Sequence, residues 1–226
     1  MSVATRSSPR TLQALYRANL GILNQKLDLI QILRDEFGDD AAKDCYQQPC
    51  RIVGASIGQH VRHSMDHIEL AAQMAIQCTT ASCNDGGRGS SSSSVNQRQI
   101  HYDLRQRGGS DEYDMDDAEG RIRRVCHMIQ HEAVRPDDDD YSFEPHAVSV
   151  YFMLSGEDGD EFRLPSTIYR ELGFAAHHAI HHMAMVKVIA QETFQLSPER
   201  LPLNFGKAPS TVNFENIIIT TAEKGS

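Results

Sequence analysis

Tryptophan is missing from this chain altogether, and aromatic residues make up only 7% of it. That shortage argues against an aromatic-rich all-β design, whose strands draw on such side chains. Positive charge is scarce too: 22 Lys and Arg face 31 Asp and Glu, a formal net charge of −9. Phosphate recognition needs clustered cations, so a general nucleic-acid role is disfavoured, as is docking on an anionic membrane surface. No apolar run approaches the roughly 18 residues needed to span a bilayer. The opening residues Met1 to Arg10 lack the apolar stretch of a secretory signal. A cytoplasmic location is expected, with organellar targeting as the alternative because this segment is basic and Ser-bearing. The five cysteines, Cys45, Cys50, Cys78, Cys83 and Cys126, form no CxxC and are odd in number. They are expected as free thiols in a reducing compartment rather than as a disulfide framework.

Several catalytic signatures are missing as well. No Glu-x-x-His occurs, so a ferritin-type di-iron bundle lacks its ligands. His131-Glu132 is not followed by a histidine at 135, which rules out the zincin motif. Neither a GxSxG elbow, a P-loop nor a GxGxxG turn is present.

Histidine, by contrast, is plentiful. Eleven are present, and four of them crowd into His177-His178-Ala179-Ile180-His181-His182. A second group falls at His60, His63 and His67. Neutral imidazole is the commonest metal ligand among side chains, so a metal site is the first reading to weigh.

The surrounding periodicity is helical. Leu12, Leu15, Leu20, Ile22, Leu23, Leu27, Ile30 and Leu33 predict a helix over 9–36, with Gly38 as its stop. A polar linker is expected over 37–54. Ser56 can cap a second helix, about 56–79, with Ile57, Val61, Met65, Ile68, Ala72 and Ala75 on one face. The run from 84 to 95 is Gly/Ser-rich and cannot bury enough apolar area to offset its ordering entropy, so a flexible insertion is expected. A third helix is expected over 116–133, with Ile122, Val125, Met128 and Ile129 inward. Residues 148–154 and 162–164 are β-rich around a Gly156–Gly159 turn and predict a hairpin. Pro165-Ser166-Thr167 then caps a fourth helix, about 167–192, and the tail from 197 shows no long periodicity until Ile217-Ile-Ile219. Four helices of bundle length, joined by long connections, predict a mainly α, four-helix bundle plus a small β-hairpin, in a single domain over 1–226.

On the fourth helix, Leu172, Ala175, Ala176, Ala179, Met183, Val186 and Ala190 define the core face at about 100° per residue. His178 and His182 fall one turn apart on its flank, whereas His177 and His181 lie nearly opposite, toward solvent. On the second helix His60, His63 and His67 share a flank, and any one of them opposite His178 and His182 would complete a three-histidine site. Catalytic zinc commonly keeps three protein ligands and one open position. His127 and His131, another i, i+4 pair, lie among charged residues and are expected at the surface.

The segment Ser56-Ile-Gly-Gln-His-Val-Arg-His63-Ser-Met-Asp66 resembles the second-helix signature of the DinB-like (YfiT-like) metal-dependent hydrolase superfamily. Residues Arg170 to His182 resemble its fourth-helix H-x-x-x-H motif. Tyr102-Asp103-x-Arg105-x-Arg107 and Phe205 to Thr211 resemble pieces of a bacterial subset of that family. The resemblance implies an up-up-down-down bundle and a divalent metal, zinc or nickel, held by His63, His178 and His182. It implies thiol-dependent transfer or hydrolysis on a small-molecule substrate, with the metal activating a low-molecular-weight thiol. A homodimer is the assembly to test. The Arg that often follows the last ligand in that family is absent here, where Met183-Ala-Met185 stands. Asp103 could take a proton, and Arg105 and Arg107 could orient an anionic substrate, or the three could simply pin their loop. Phe205 to Thr211 could close the site's edge or cap the bundle.

Overall fold

The computed structural model describes residues 8–84, 98–104, 109–133, 146–157 and 159–224. Helices α1 (Ser8–Phe37), α2 (Asp39–Gln47), α3 (Ile57–Asn84), α4 (Met115–Ala133), α5 (Ile168–Phe194) and α6 (Pro209–Lys224) dominate. Strands β1 (Gln99–His101), β2 (Ala147–Met153) and β3 (Glu161–Thr167) form a small sheet in the order β1-β2-β3. The protein is therefore mainly helical, with a three-stranded sheet at its side. The run expected as a flexible insertion lies, from residue 85 onward, outside the described residues, as does Asp137 to Asp140.

Helices α1, α3, α4 and α5 form where their apolar stripes find a partner. Leu23, Ile30 and Leu33 of α1, Ile57, Val61, Met65, Ile68, Ala72 and Ala75 of α3, Ile122, Val125 and Ile129 of α4, and the expected core face of α5 are all buried in one cluster. Such a stripe is what gives an amphipathic helix its stability in a protein. Local chemistry sets the ends. Gly38 takes φ 78°, and its N–H donates to Arg34 O at 2.8 Å, which ends α1. Ser56 and Gln59 form a reciprocal capping box at the start of α3, with the Gln59 N–H on Ser56 Oγ at 3.1 Å and the Ser56 N–H on Gln59 Oε1 at 3.0 Å. At α5, Thr167 Oγ1 accepts from the Arg170 N–H at 3.3 Å.

Three elements depart from the sequence expectation. The span read as a linker contains α2, held down by buried Ala42, Cys45 and Tyr46. The expected hairpin is present as antiparallel β2 and β3, but β1 joins it in parallel, with Ile100 opposite Val150. The tail carries α6, whose Phe214, Ile218 and Ile219 remain exposed and so leave no buried stripe to read. Cys45, Cys50, Cys78 and Cys126 are buried. No helix among the described residues is long and apolar enough to cross a membrane.

Candidate metal centre

The rotation of α3 is fixed from two sides around His63. On one side Arg62 Nε meets Glu112 Oε2 at 3.0 Å, while Arg121 of α4 reaches Asp66 at 2.9 Å and Asp111 at 2.6 Å. On the other, the Lys26 ammonium of α1 donates to Ser64 Oγ, which in turn donates to the His60 carbonyl at 2.8 Å. These neighbours of His63 hold its ring toward α5.

Across the interface, α5 presents its histidines as its periodicity dictates. His178 and His182 are half-buried, whereas His177 and His181 are exposed. The exposed His127 and His131 of α4 likewise sit at the surface. His178 Nε2 lies 2.9 Å from His63 Nε2 and 3.1 Å from His182 Nε2. One nitrogen from each of His63, His178 and His182 falls within 4.8 Å of the other two, a group that could hold a metal ion.

The donor set suits a cation better than it suits a hydrogen-bonded trio. A neutral imidazole nitrogen has either one hydrogen or one lone pair, so His178 Nε2 cannot satisfy two facing nitrogens in the same way. Zinc–nitrogen bonds of about 2.0–2.1 Å in a tetrahedron place ligand nitrogens roughly 3.3 Å apart, close to the spacing seen. Burial also favours the neutral form of His182, the form that binds metal. Burial, and then the neighbouring His178, push His182 down to about 3, with His60 and Lys26 adding to the shift. His60 is lowered in the same direction by burial and then by Lys26.

The other two α3 histidines take different places. His60 Nδ1 sits 2.8 Å from His182 Nδ1, the ring nitrogen other than the one that faces His178. His67 is buried, stacks on Tyr102 at 4.5 Å and lies 4.2 Å from the His178 ring. Tyr102 is fully buried and donates its hydroxyl to Glu171 Oε2 at 2.8 Å, which ties the end of β1 to the first turn of α5. Arg170 lies 4.6 Å over the Phe174 ring, which meets His67 in a T-shaped arrangement with centroids 5.7 Å apart.

Asp103 accepts the Met153 N–H at 2.8 Å, so its carboxylate pins the end of β2. Arg105 and Arg107 lie outside the described residues. Phe205 is buried, and Gly206 rests directly on α5: a Cβ there would meet Ala184 N at 2.8 Å and Met183 C at 2.9 Å. That segment thus packs on the turn that carries His182. An open cleft of about 640 Å³ is lined by Asp66, Glu69, Asp111, Arg121 and His101, and none of the three converging histidines belongs to it. The histidines are the stronger candidate because their donor geometry is specific, whereas most of the cleft's charges already pair with one another.

Lys26 and Glu171 went unread in the sequence. Lys26 stands within the apolar stripe of α1, between Leu23 and Ile30, which is the one signal that could have found it. Glu171, in the first turn of α5, carries no signal that separates it from an ordinary helix-start acid. Searches against protein families, curated proteins and solved structures find nothing that matches the chain.

Proposed function

We propose that this protein is a DinB-like, up-up-down-down four-helix bundle that binds one divalent metal ion, zinc or nickel, through His63, His178 and His182. The observation that carries the reading is the meeting of three Nε2 atoms from two helices at 2.9 and 3.1 Å. When bound, such a cation supplies Lewis acidity that lowers the pKa of a water or thiol in its open position. The activity that fits is thiol-dependent transfer, or hydrolysis, on a small-molecule substrate, with a low-molecular-weight thiol as co-reactant. The chain's own contribution is to hold the three imidazoles in place. Tyr102, His67 and Phe174 pack as an aromatic wall beside His178. Arg105 and Arg107 are the groups proposed to orient an anionic substrate.

A second reading, a non-catalytic metal- or small-ligand-binding protein, draws on Asp103. Its carboxylate already accepts the Met153 N–H, an arrangement suited to fixing a strand end rather than to moving a proton. One experiment separates the readings. Protein purified without an affinity tag is dialysed against zinc or nickel and its metal content measured by mass spectrometry, then assayed with a panel of thiols and electrophilic acceptors. One ion per chain with thiol-dependent turnover supports the enzyme, and one ion without turnover supports the binding protein. Wild-type protein that retains no metal overturns both.

A further inference from the structure

The contact between His60 and His182 assigns a role beyond the three ligands, and it rests on the metal-centre reading above. The two Nδ1 atoms lie 2.8 Å apart with their rings tilted at 45°, a hydrogen-bond distance that requires one hydrogen between them. If His182 turns Nε2 toward the other ligands, a neutral ring must carry its hydrogen on Nδ1. That Nδ1–H then points at His60, whose Nδ1 has to supply a lone pair, and the hydrogen of His60 sits on Nε2. His60 Nε2 is buried and has no hydrogen-bond partner among the described residues. The alternative distribution, with the hydrogen on His60 Nδ1, would leave His182 with an Nε2–H aimed at His178 and unable to bind a cation.

We propose that His60 is a positioning residue for the metal centre: its Nδ1 accepts from His182 Nδ1–H and locks His182 in the tautomer that offers an Nε2 lone pair. Metal-bound histidines elsewhere usually donate the second ring hydrogen to a carboxylate, carbonyl or water, and loss of that partner costs about 10–100-fold in metal affinity. Here another imidazole fills the place. The backbone of His60 is well anchored for it, because its carbonyl takes the Ser64 hydroxyl, which Lys26 in turn holds. Aligned helically, His60 also precedes His63 by three residues, so ligand and supporter leave α3 on one flank.

The nitrogen involved makes the test specific. In His60→Asn the amide Oδ1 falls where Nδ1 stood and can accept the same hydrogen; in His60→Gln the amide reaches instead toward the Nε2 position; His60→Leu has no acceptor. Zinc affinity is measured by chelator competition on full-length, tag-free protein, with the cobalt(II) absorption spectrum as a second readout. His60→Asn should bind within a few-fold of wild type. His60→Gln and His60→Leu should bind about 10–100-fold more weakly and shift the cobalt bands. Should His60→Leu fail to fold, nitrogen-15 spectra of zinc-loaded wild type decide the matter, since His182 must carry its hydrogen on Nδ1. Wild-type affinity and spectrum in all three variants, His60→Asn as weak as His60→Leu, or an Nδ1 without hydrogen at His182, would overturn the proposal alone. A wild type that binds no zinc would instead overturn the metal-centre reading, and this proposal with it.

Discussion

His63 Nε2 and His178 Nε2 lie 2.9 Å apart although 115 positions of chain separate the two residues. Only the packing of α3 against α5 brings them together, and it brings His182 with them. Substituting Ala for His63, His178 or His182 should therefore each abolish stoichiometric metal. His177→Ala and His181→Ala, on the exposed side of α5, should leave one ion per chain. Metal analysis by mass spectrometry checks this, and equal loss in the inner and outer variants would undo the assignment of faces.

The division of the His-His-x-x-His-His run could be read from the sequence because its helix is long and its core face is made of small and aliphatic residues. Every residue expected on that face of α5 is buried, and the 3.6-residue repeat then fixes which imidazoles border it. The choice among His60, His63 and His67 could not be read the same way. All three share a flank, and their distances to α5 are set by tertiary contacts such as Arg62 with Glu112 and Ser64 with Lys26. Strand β1 was hidden for a related reason: three residues paired in parallel with β2, nearly fifty positions away, leave no local pattern. Helix α2 does leave one, since Ala42, Cys45 and Tyr46 follow helical spacing, but three apolar positions in nine residues rich in Asp are too few to separate it from a polar linker.

His67 should make metal-free protein sensitive to acid. Burial, and then the nearby His178, push its imidazole down to about 3, against an ordinary value near 6.5. The folded state then binds fewer protons than the unfolded chain between those values. Its contribution to stability is fully present above about pH 6.5 and is lost as pH falls toward 3, at up to about 1.4 kcal/mol per pH unit. His182 acts in the same direction. His67→Phe keeps a ring against Tyr102 and removes one proton from the linkage. Urea midpoints taken across this range should fall less steeply in the variant, and parallel curves would refute the assignment.

Lys26 is a buried cation that destabilises the fold as long as it carries its charge. Burial alone pushes its amine from 10.5 down to about 7, and its neighbours are the Ser64 hydroxyl and, at 3.6 Å, the Met183 sulfur. For a lysine with a lowered folded pKa, the penalty is complete below about 7 and relieved as pH climbs toward 10.5. Lys26→Met, similar in length and apolar, should therefore stabilise metal-free protein at pH 7, by roughly 2–4 kcal/mol. The gain should shrink in urea titrations repeated above pH 9. A destabilised variant, or a gain that ignores pH, would show that the amine contributes favourably to packing or hydrogen bonding instead.

Gly206 packs the C-terminal segment against the turn of α5 that carries His182. Its φ of +66° is a conformation that residues with a Cβ adopt reluctantly, and an added Cβ would press on the α5 backbone at Met183 and Ala184. Neither partner is a flexible side-chain end, so the strain has to be taken up by moving the segment away or by shifting α5. Gly206→Ala should cost roughly 1–3 kcal/mol of stability, as overpacking at a rigid contact does. The two ways of relieving it differ in their effect on His182, one residue before Met183. If α5 shifts, His182 leaves its place beside His178, and zinc affinity falls along with the urea midpoint. If the segment moves instead, stability falls while zinc affinity holds. Measuring both on one preparation thus tells whether Phe205 to Thr211 supports the site or merely covers the end of the helices, and a variant as stable as wild type would mean that the backbone contact is softer than its geometry indicates.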